Sequence, residues 1–112
     1  MTLRRWDIVF LRADARDDTG HPAILLSHED ILEHPDRDRF NALIGSKKSP
    51  AYAPQPRHVV LNGADGLEFT TLVDCSLIQV GRKSGILRRA GVVSLERRRE
   101  IQRKVRAYLG LG

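Results

Sequence analysis

The chain has 112 residues, 41% of them apolar, with 19 Lys/Arg against 14 Asp/Glu, a net charge of +5 and a pI near 10.0. That length suits one domain with its own core, residues 1–112, and leaves no room for a second. No apolar run approaches the roughly 20 residues of a membrane span, the start MTLRRWD lacks the long apolar segment of a signal peptide, and the lone Cys75 fits a reducing, cytoplasmic setting rather than a disulfide scaffold.

Trp6–Leu11 (WDIVFL) is rich in β-branched and aromatic residues, with Asp7 its one polar interruption. It predicts a first strand buried on one face and over most of the other. Arg12–Gly20 reads as a polar loop, whose Asp14, Asp17 and Asp18 lack the following Glu and the central Gly of a calcium loop. Pro22–Leu26 predicts a second strand with Pro22 at its first position, where a missing N–H is tolerated. Ser27 is placed to cap a short helix, with Asp30 three residues on and Pro35 ending it. His28 and His34 are six apart and do not share a helix face as a zinc-binding pair would; Asp30 and His34 read as a surface pair. Asn41–Ile44 predicts a short third strand. Ser46–Arg57 (SKKSPAYAPQPR) holds three of the five prolines and predicts a loop. Its Lys47, Lys48, Tyr52 and Arg57 set cations around one aromatic, a composition that suits single-stranded nucleic acid and equally an ordinary exposed loop. His58–Leu61 predicts a fourth strand and Asn62-Gly63 a tight turn.

The stretch from Val73 to Leu109 organises the rest. Val73, Cys75 and Leu77 alternate on one side of a strand, and Gly81–Gly85 predicts a turn served by glycine at both ends. Ile86–Val93 predicts a return strand broken by Gly91. Ser94 is then a suitable N-cap, Glu96 sits in the first helical turn, and Gly110 is a natural stop. Between them Ile101, Val105, Tyr108 and Leu109 form one apolar stripe. From Arg82 to Arg106 ten Lys/Arg face only Glu96 and Glu100, a balance of +8, while nine basic and twelve acidic residues leave the remainder at −3. Arg82 and Lys83 open this basic segment. The segregation favours a polyanionic partner, nucleic acid most simply, with a solvated basic helix face as the even alternative. In all, about six short strands, mainly in antiparallel hairpins, precede a C-terminal helix that covers one opening of a small barrel or half-open sheet.

In their order, RRWDIVFL, GHPAILLS, NALIGS, HVVL and VDCSLIQVGRKSGILRRAGVVSLE resemble the PemK/MazF-like toxins of bacterial toxin–antitoxin pairs, nearly end to end. The resemblance implies a mainly β fold with a C-terminal α-helix, a small SH3-like antiparallel barrel of the PemK/MazF/CcdB kind. It implies a homodimer that cleaves single-stranded RNA without metal or cofactor, and a cognate acidic antitoxin that neutralises it. His21-Pro22 stands where the family usually has Arg-Pro, Gly45-Ser46 where it has Thr-Ser, and Ser76-Leu77 where many members have Asp-Gln. The candidate catalytic residues are therefore His21, Ser46, Arg57 and Asp74, and the candidate RNA-binding residues Lys47, Lys48, Tyr52, Arg82 and Lys83. Each has a plainer role beside it: His21 as a strand-end residue, Arg57 as a shield for an edge strand, Asp74 as partner to a barrel arginine, and His58 as a solvent-facing neighbour. The second reading is a catalytically impaired member of the same fold, binding nucleic acid or protein as a regulatory module. Topoisomerase-poisoning relatives usually end in a tryptophan-containing tip, which Leu109-Gly110-Leu111-Gly112 lacks.

Overall fold

The computed structural model describes residues 2–111; Met1 and Gly112, the two ends of the expected 1–112 domain, lie outside the described residues. Seven strands and two helices follow in order: β1 (Asp7–Leu11), β2 (His21–Leu25), α1 (Glu29–Leu32), β3 (Arg39–Lys47), β4 (His58–Leu61), β5 (Thr71–Asp74), β6 (Gln79–Arg82), β7 (Ile86–Val92) and α2 (Leu95–Leu109). The strands pair antiparallel in the order β4-β5-β3-β2-β1-β7, with β6 added to β3. The mainly β architecture with a C-terminal helix is the one expected, with one strand more.

β3 joins three neighbours at once. Arg39–Ala42 pair with β6, Ala42–Ile44 with β2, and Gly45–Lys47 with β5. It is a nine-residue strand, not the short Asn41–Ile44 segment, and Ser46 and Lys47 belong to it rather than to the following loop. The lysines and serine hid it, because their side chains say little about rungs that the backbone makes with β5. Gly45 is required at the crossing: a Cβ there would stand 2.6 Å from Thr71 Cγ2.

Alternation along the strands builds two apolar layers. On the inner face Ile8, Ile24, Leu43, Val59 and Val73 meet Val93 and Ile101, so the start of α2 closes the open end of the sheet. On the outer face over β1, β2 and the first half of β3, Val9, Leu11, Ala23, Leu25 and Ala42 are covered by Leu3, Leu32 and Phe40, with Ile86 packed beside them. β1 is thus buried on both faces. Its Asp7 is kept satisfied by the Arg4 N–H at 2.9 Å and the Arg89 guanidinium at 3.1 Å.

Several boundaries differ from expectation for local reasons. β1 begins at Asp7 because Trp6 adopts φ 76°, a conformation that a bulky side chain takes only under constraint. Its N–H reaches the Leu25 carbonyl at 2.8 Å and its carbonyl receives the Val93 N–H at 3.0 Å. His28, not Ser27, caps α1, its Nδ1 accepting the Asp30 N–H at 3.1 Å; Ser27 Oγ instead accepts the Asn41 N–H at 2.8 Å. Asn62-Gly63 opens a single 3₁₀ turn, closed by reciprocal capping between Asn62 and Asp65.

The strand expected to run through Leu77 stops at Asp74, whose carboxylate accepts the Ser76 N–H and O–H at 2.9 and 2.6 Å and bends the chain. Gly81 lies in β6 and needs no special φ; a Cβ there would come within 2.8 Å of the Phe40 ring. β7 continues through Gly91, but its register against β1 shifts there, between Ile8↔Gly91 and Val9↔Arg89, and Gly91 lets the strand pass the Asp65 carbonyl, where any side chain would collide. Ser94 occupies the N-cap of α2 without a side-chain bond, its N–H donating to Asp65 Oδ1 at 2.9 Å. Gly110 ends the helix at φ 70°, as expected. Of the apolar stripe only Ile101 is buried; Val105 is half-buried, and Tyr108 and Leu109 are exposed where the helix outruns the sheet. Among the described residues no helix is long and apolar enough to cross a membrane.

Candidate active site

The outer face that Leu32 and Phe40 seal over β1 and β2 is open beyond the middle of β3. Strand alternation places Ile44 and Ser46 of β3, Leu72 and Asp74 of β5 and His58 of β4 there, and the pairs Ser46↔Leu72 and His58↔Asp74 align them in rows. They line an open cleft of about 440 Å³, whose walls also include Lys47, Ser49, Tyr52, Leu77 and Gln79.

Two polar assemblies meet in this cleft. Arg57 Nε donates to Asp74 Oδ2 at 3.2 Å, while the other Asp74 oxygen takes both Ser76 donors. Burial alone would raise the Asp74 pKa, but the Ser76 bonds and the Arg57 charge outweigh it and bring the carboxyl below its ordinary value. At neutral pH this is an ionised, fully engaged carboxylate that fixes Arg57 and offers little basicity of its own. The second assembly is His58, buried edge-on against Tyr52 with ring centroids 5.8 Å apart. Its Nδ1 accepts the Gln55 N–H at 2.9 Å. Burial and the Arg57 and Lys104 charges, opposed by Asp74, hold its pKa below the ordinary histidine value. The neutral ring therefore carries its proton on Nε2, a tautomer assigned from the Gln55 bond. It is an N–H donor at the cleft. Behind it, burial pushes the Cys75 thiol up to about 11, which makes this cysteine a packing residue and not a nucleophile.

His21 heads β2 opposite Leu11 and is exposed, its Nε2 3.9 Å from Asp17 Oδ2. Asp17 organises the preceding loop by accepting the Ala13, Gly20 and Thr19 N–H groups, and these bonds, that from Ala13 foremost, hold its carboxyl at about 2. The β2–β3 register of Ala23↔Ile44, carried on by two residues, sets His21 abreast of Ser46 on the same face. His21 does not itself line the cleft.

The structure thus gathers Ser46, Tyr52 and Asp74 into one cleft, with Arg57 held to it through Asp74 and His21 one strand away; Lys47 borders the cleft, but its ammonium lies 5.8 Å from the Phe69 ring centroid, toward the inner face. Three other candidates stand apart. The Lys48 ammonium folds onto the Ser49 carbonyl at 3.2 Å, and Arg82 pairs with Asp38 at 3.5 Å. Lys83 Nζ fastens the end of α1 through the Ile31 and His34 carbonyls at 2.7 and 2.9 Å. Leu77 and Gln79 belong to the cleft although the sequence did not single them out, and His58, read from sequence as solvent-facing, is buried at it; the signal for His58 would have been its pairing opposite Asp74 across β4 and β5. Among the described residues no group of three His, Cys, Asp or Glu could hold a metal ion.

No family model matches the sequence, and no curated protein matches it. Solved structures do share the fold. An endoribonuclease from a mycobacterial species, in complex with its cognate antitoxin, is 17% identical with a TM-score of 0.78 over 99% of this chain and 96% of that one. The Mycobacterium tuberculosis toxin MazF-mt6 is 14% identical, with a TM-score of 0.76 over 95% and 98% of the two chains. A MazE–MazF structure from Deinococcus radiodurans gives 15% identity and a TM-score of 0.73 over the full length of both. The chain has the MazF fold.

Proposed function

We propose that this protein is the toxin of a bacterial toxin–antitoxin pair and cleaves single-stranded RNA without a metal ion. The observation that carries the reading is the cleft itself, where the Ser46 hydroxyl, the His58 N–H donor, the Arg57–Asp74 pair and the exposed Tyr52 ring stand on one face. The shared fold supports it, since the similar structures include endoribonucleases and toxin–antitoxin complexes.

In this reading a base rests against Tyr52 and the scissile phosphate lies over Ser46. His21, alongside Ser46, takes the proton from the ribose 2′-OH, and the 2′-oxygen attacks phosphorus. The P–O5′ bond breaks, and solvent in the open cleft protonates the departing 5′-oxygen. A 2′,3′-cyclic phosphate and a 5′-hydroxyl result. Arg57, Ser46 and His58 Nε2–H supply positive charge and donors to the phosphoryl oxygens as negative charge gathers there. The same reading makes the protein a cytoplasmic homodimer of single-domain chains, silenced by an acidic antitoxin whose carboxylates compete for these donors.

Incubation of the folded protein with mixed-sequence single-stranded RNA in EDTA should yield fragments ending in cyclic phosphate and 5′-hydroxyl. Intact RNA, with and without added divalent metal, overturns the enzyme reading. One observation favours a binding module in that event: the Arg57 charge is already balanced by Asp74, and His21 stands outside the cleft lining. Retained RNA affinity without cleavage identifies that case.

A further inference from the structure

One feature of the cleft arises from a change of partner along β3. Gly45–Lys47 pair with β5 from Gly45↔Val73 onward, whereas Ala42 pairs with β6 through Ala42↔Gln79. Ile44, between them, has its strand partner in β2 alone, opposite Ala23. The segment from Asp74 to Gln79 leaves the ladder here, and Leu77 stands in it, 55% exposed. The outer face therefore has a notch beside Ile44, bordered by Leu72 and Leu77. Directly paired residues share a face, so Gln79, opposite the outward Ala42, also turns outward and stands diagonal to Ile44 at the edge of the notch.

The charged groups around the notch are committed elsewhere. The Lys47 ammonium lies 5.8 Å from the Phe69 ring centroid, toward the inner face, and Lys48 folds onto the Ser49 carbonyl. Asp74 has both oxygens engaged, by Arg57 and by Ser76. Gln79 differs from them. It is exposed, and among the described residues its side-chain amide makes no hydrogen bond. An apolar floor with one free amide at its edge suits a flat, uncharged base better than a phosphate. The phosphodiester has its place nearby, since Ser46 is two residues along β3 on the same face, about 7 Å from Ile44. His58, against which Tyr52 rests, is two strands from Ile44, about 10 Å across the sheet. A base over Ile44 and a base against Tyr52 are therefore different nucleotides of one strand.

We propose that Gln79 is a specificity-determining residue, whose amide reads the edge of one RNA base seated over Ile44 and Leu77. The inference rests on the RNA-cleaving function proposed above and extends it from backbone chemistry to base choice. Tyr52 stacks on any base and adds affinity without preference. The amide offers one donor and one acceptor side by side, so a base that does not match it leaves a polar group unpaired.

The test sequences the cut ends that wild type, Gln79→Ala and Gln79→Glu produce from a single-stranded RNA pool randomised about its centre. The same three proteins also select from a 2′-O-methyl pool of that design, which resists cleavage and reports binding alone. Gln79 is exposed on β6, so both variants should melt like wild type by circular dichroism. Wild type should prefer one base at one position by about tenfold, the scale of a single bidentate base contact. Gln79→Ala should flatten that position and keep the preferences at the others. Gln79→Glu, whose carboxylate only accepts, should restore a preference there for guanine, which presents N1–H and N2–H₂ as adjacent donors.

Identical profiles for the three proteins, or a loss spread evenly over all positions, overturn the inference and leave the cleavage reading standing. A Gln79-dependent position in the 2′-O-methyl selection, with no cutting by wild type, supports the base contact while the nuclease reading falls. A wild type that neither cuts nor selects overturns both.

Discussion

The outer face of the sheet has two halves with opposite fates. Over β1, β2 and the start of β3, Val9, Leu11, Ala23, Leu25 and Ala42 face outward and are sealed by Leu3, Leu32 and Phe40. Over the end of β3, β5 and β4, the same parity carries Ser46, Asp74 and His58 among Ile44 and Leu72, and there the face forms an open cleft walled in part by Tyr52. One continuous ladder supports both halves, so the difference lies in the side chains that the alternation turns outward. A sealed half makes the platform rigid; an open half on the same strands inherits that rigidity and presents donors to a ligand.

The largest effect should come from His21, exposed at the head of β2 beside the open half. As an exposed residue it contributes little to packing. As the acid–base group of the proposed reaction it should be worth roughly 10²–10⁴-fold in rate. His21→Ala should therefore melt like wild type and lose most of its cleavage in single-turnover assays. Unchanged cleavage would move the proton transfer to another group of the cleft.

The sealed half should respond in the reverse sense. Phe40 is buried beneath the close approach of Gly81, and Phe40→Ala should destabilise by about 3–5 kcal/mol in urea unfolding. Across the sheet, Leu77 is 55% exposed at the cleft margin, and Leu77→Ala should stay within about 0.5 kcal/mol. Similar costs at the two positions would mean that the halves are not distinct.

How much of this contrast was legible in the sequence follows from the same alternation. WDIVFL and PAILL announce strands buried on two faces because both parities are apolar, and the order of elements is readable from them. The Leu95–Leu109 helix is readable from its stripe and from Gly110. The cleft is less so. Ser46 and Lys47 read as loop because their strand identity comes from rungs with β5, far along the chain. His58 read as a solvent-facing neighbour because HVVL does not say which face is covered; only the pairing with Asp74 and the Gln55 N–H decide it. Arg82 and Lys83 read as RNA ligands from charge alone, whereas in the fold they hold Asp38 and the end of α1. Charge counts register the number of cations but not their hydrogen-bond partners.

A smaller effect separates charge from scaffold within the open half. Asp74→Asn keeps an acceptor for Ser76 and removes the charge that balances Arg57. Both members of the ion pair are more than a third exposed, so its loss should cost no more than about 1 kcal/mol. RNA affinity should rise at low salt, and the slope of log K against log salt should steepen by about 0.7, as one more cation becomes available to phosphate. An unchanged slope would show that Arg57 does not face the RNA.

The smallest effect is the pH dependence of stability contributed by His58, and its sign is fixed by the surroundings. Burial comes first; the Arg57 and Lys104 cations act in the same direction, and Asp74 opposes them. The net shift is downward, so the unfolded chain binds a proton at this residue more readily than the folded protein does. Stability from this source is complete above the unfolded value of about 6.5 and declines as pH falls through the folded pKa. His58→Asn supplies an oxygen to the Gln55 N–H in place of Nδ1 and removes the titration. Between pH 7 and pH 5 wild type should therefore lose stability relative to this variant, while the exposed histidines, common to both, cancel in the difference. The carboxyl groups held low, Asp17, Glu29, Asp38 and Asp74, enter only in more acidic solution. Lys104→Met should move the His58 decline to higher pH by removing one cation. A difference between wild type and His58→Asn that stays flat from pH 7 to pH 5, or grows in the other direction, would show that the imidazole is not held neutral in the cleft and could not serve there as an Nε2–H donor.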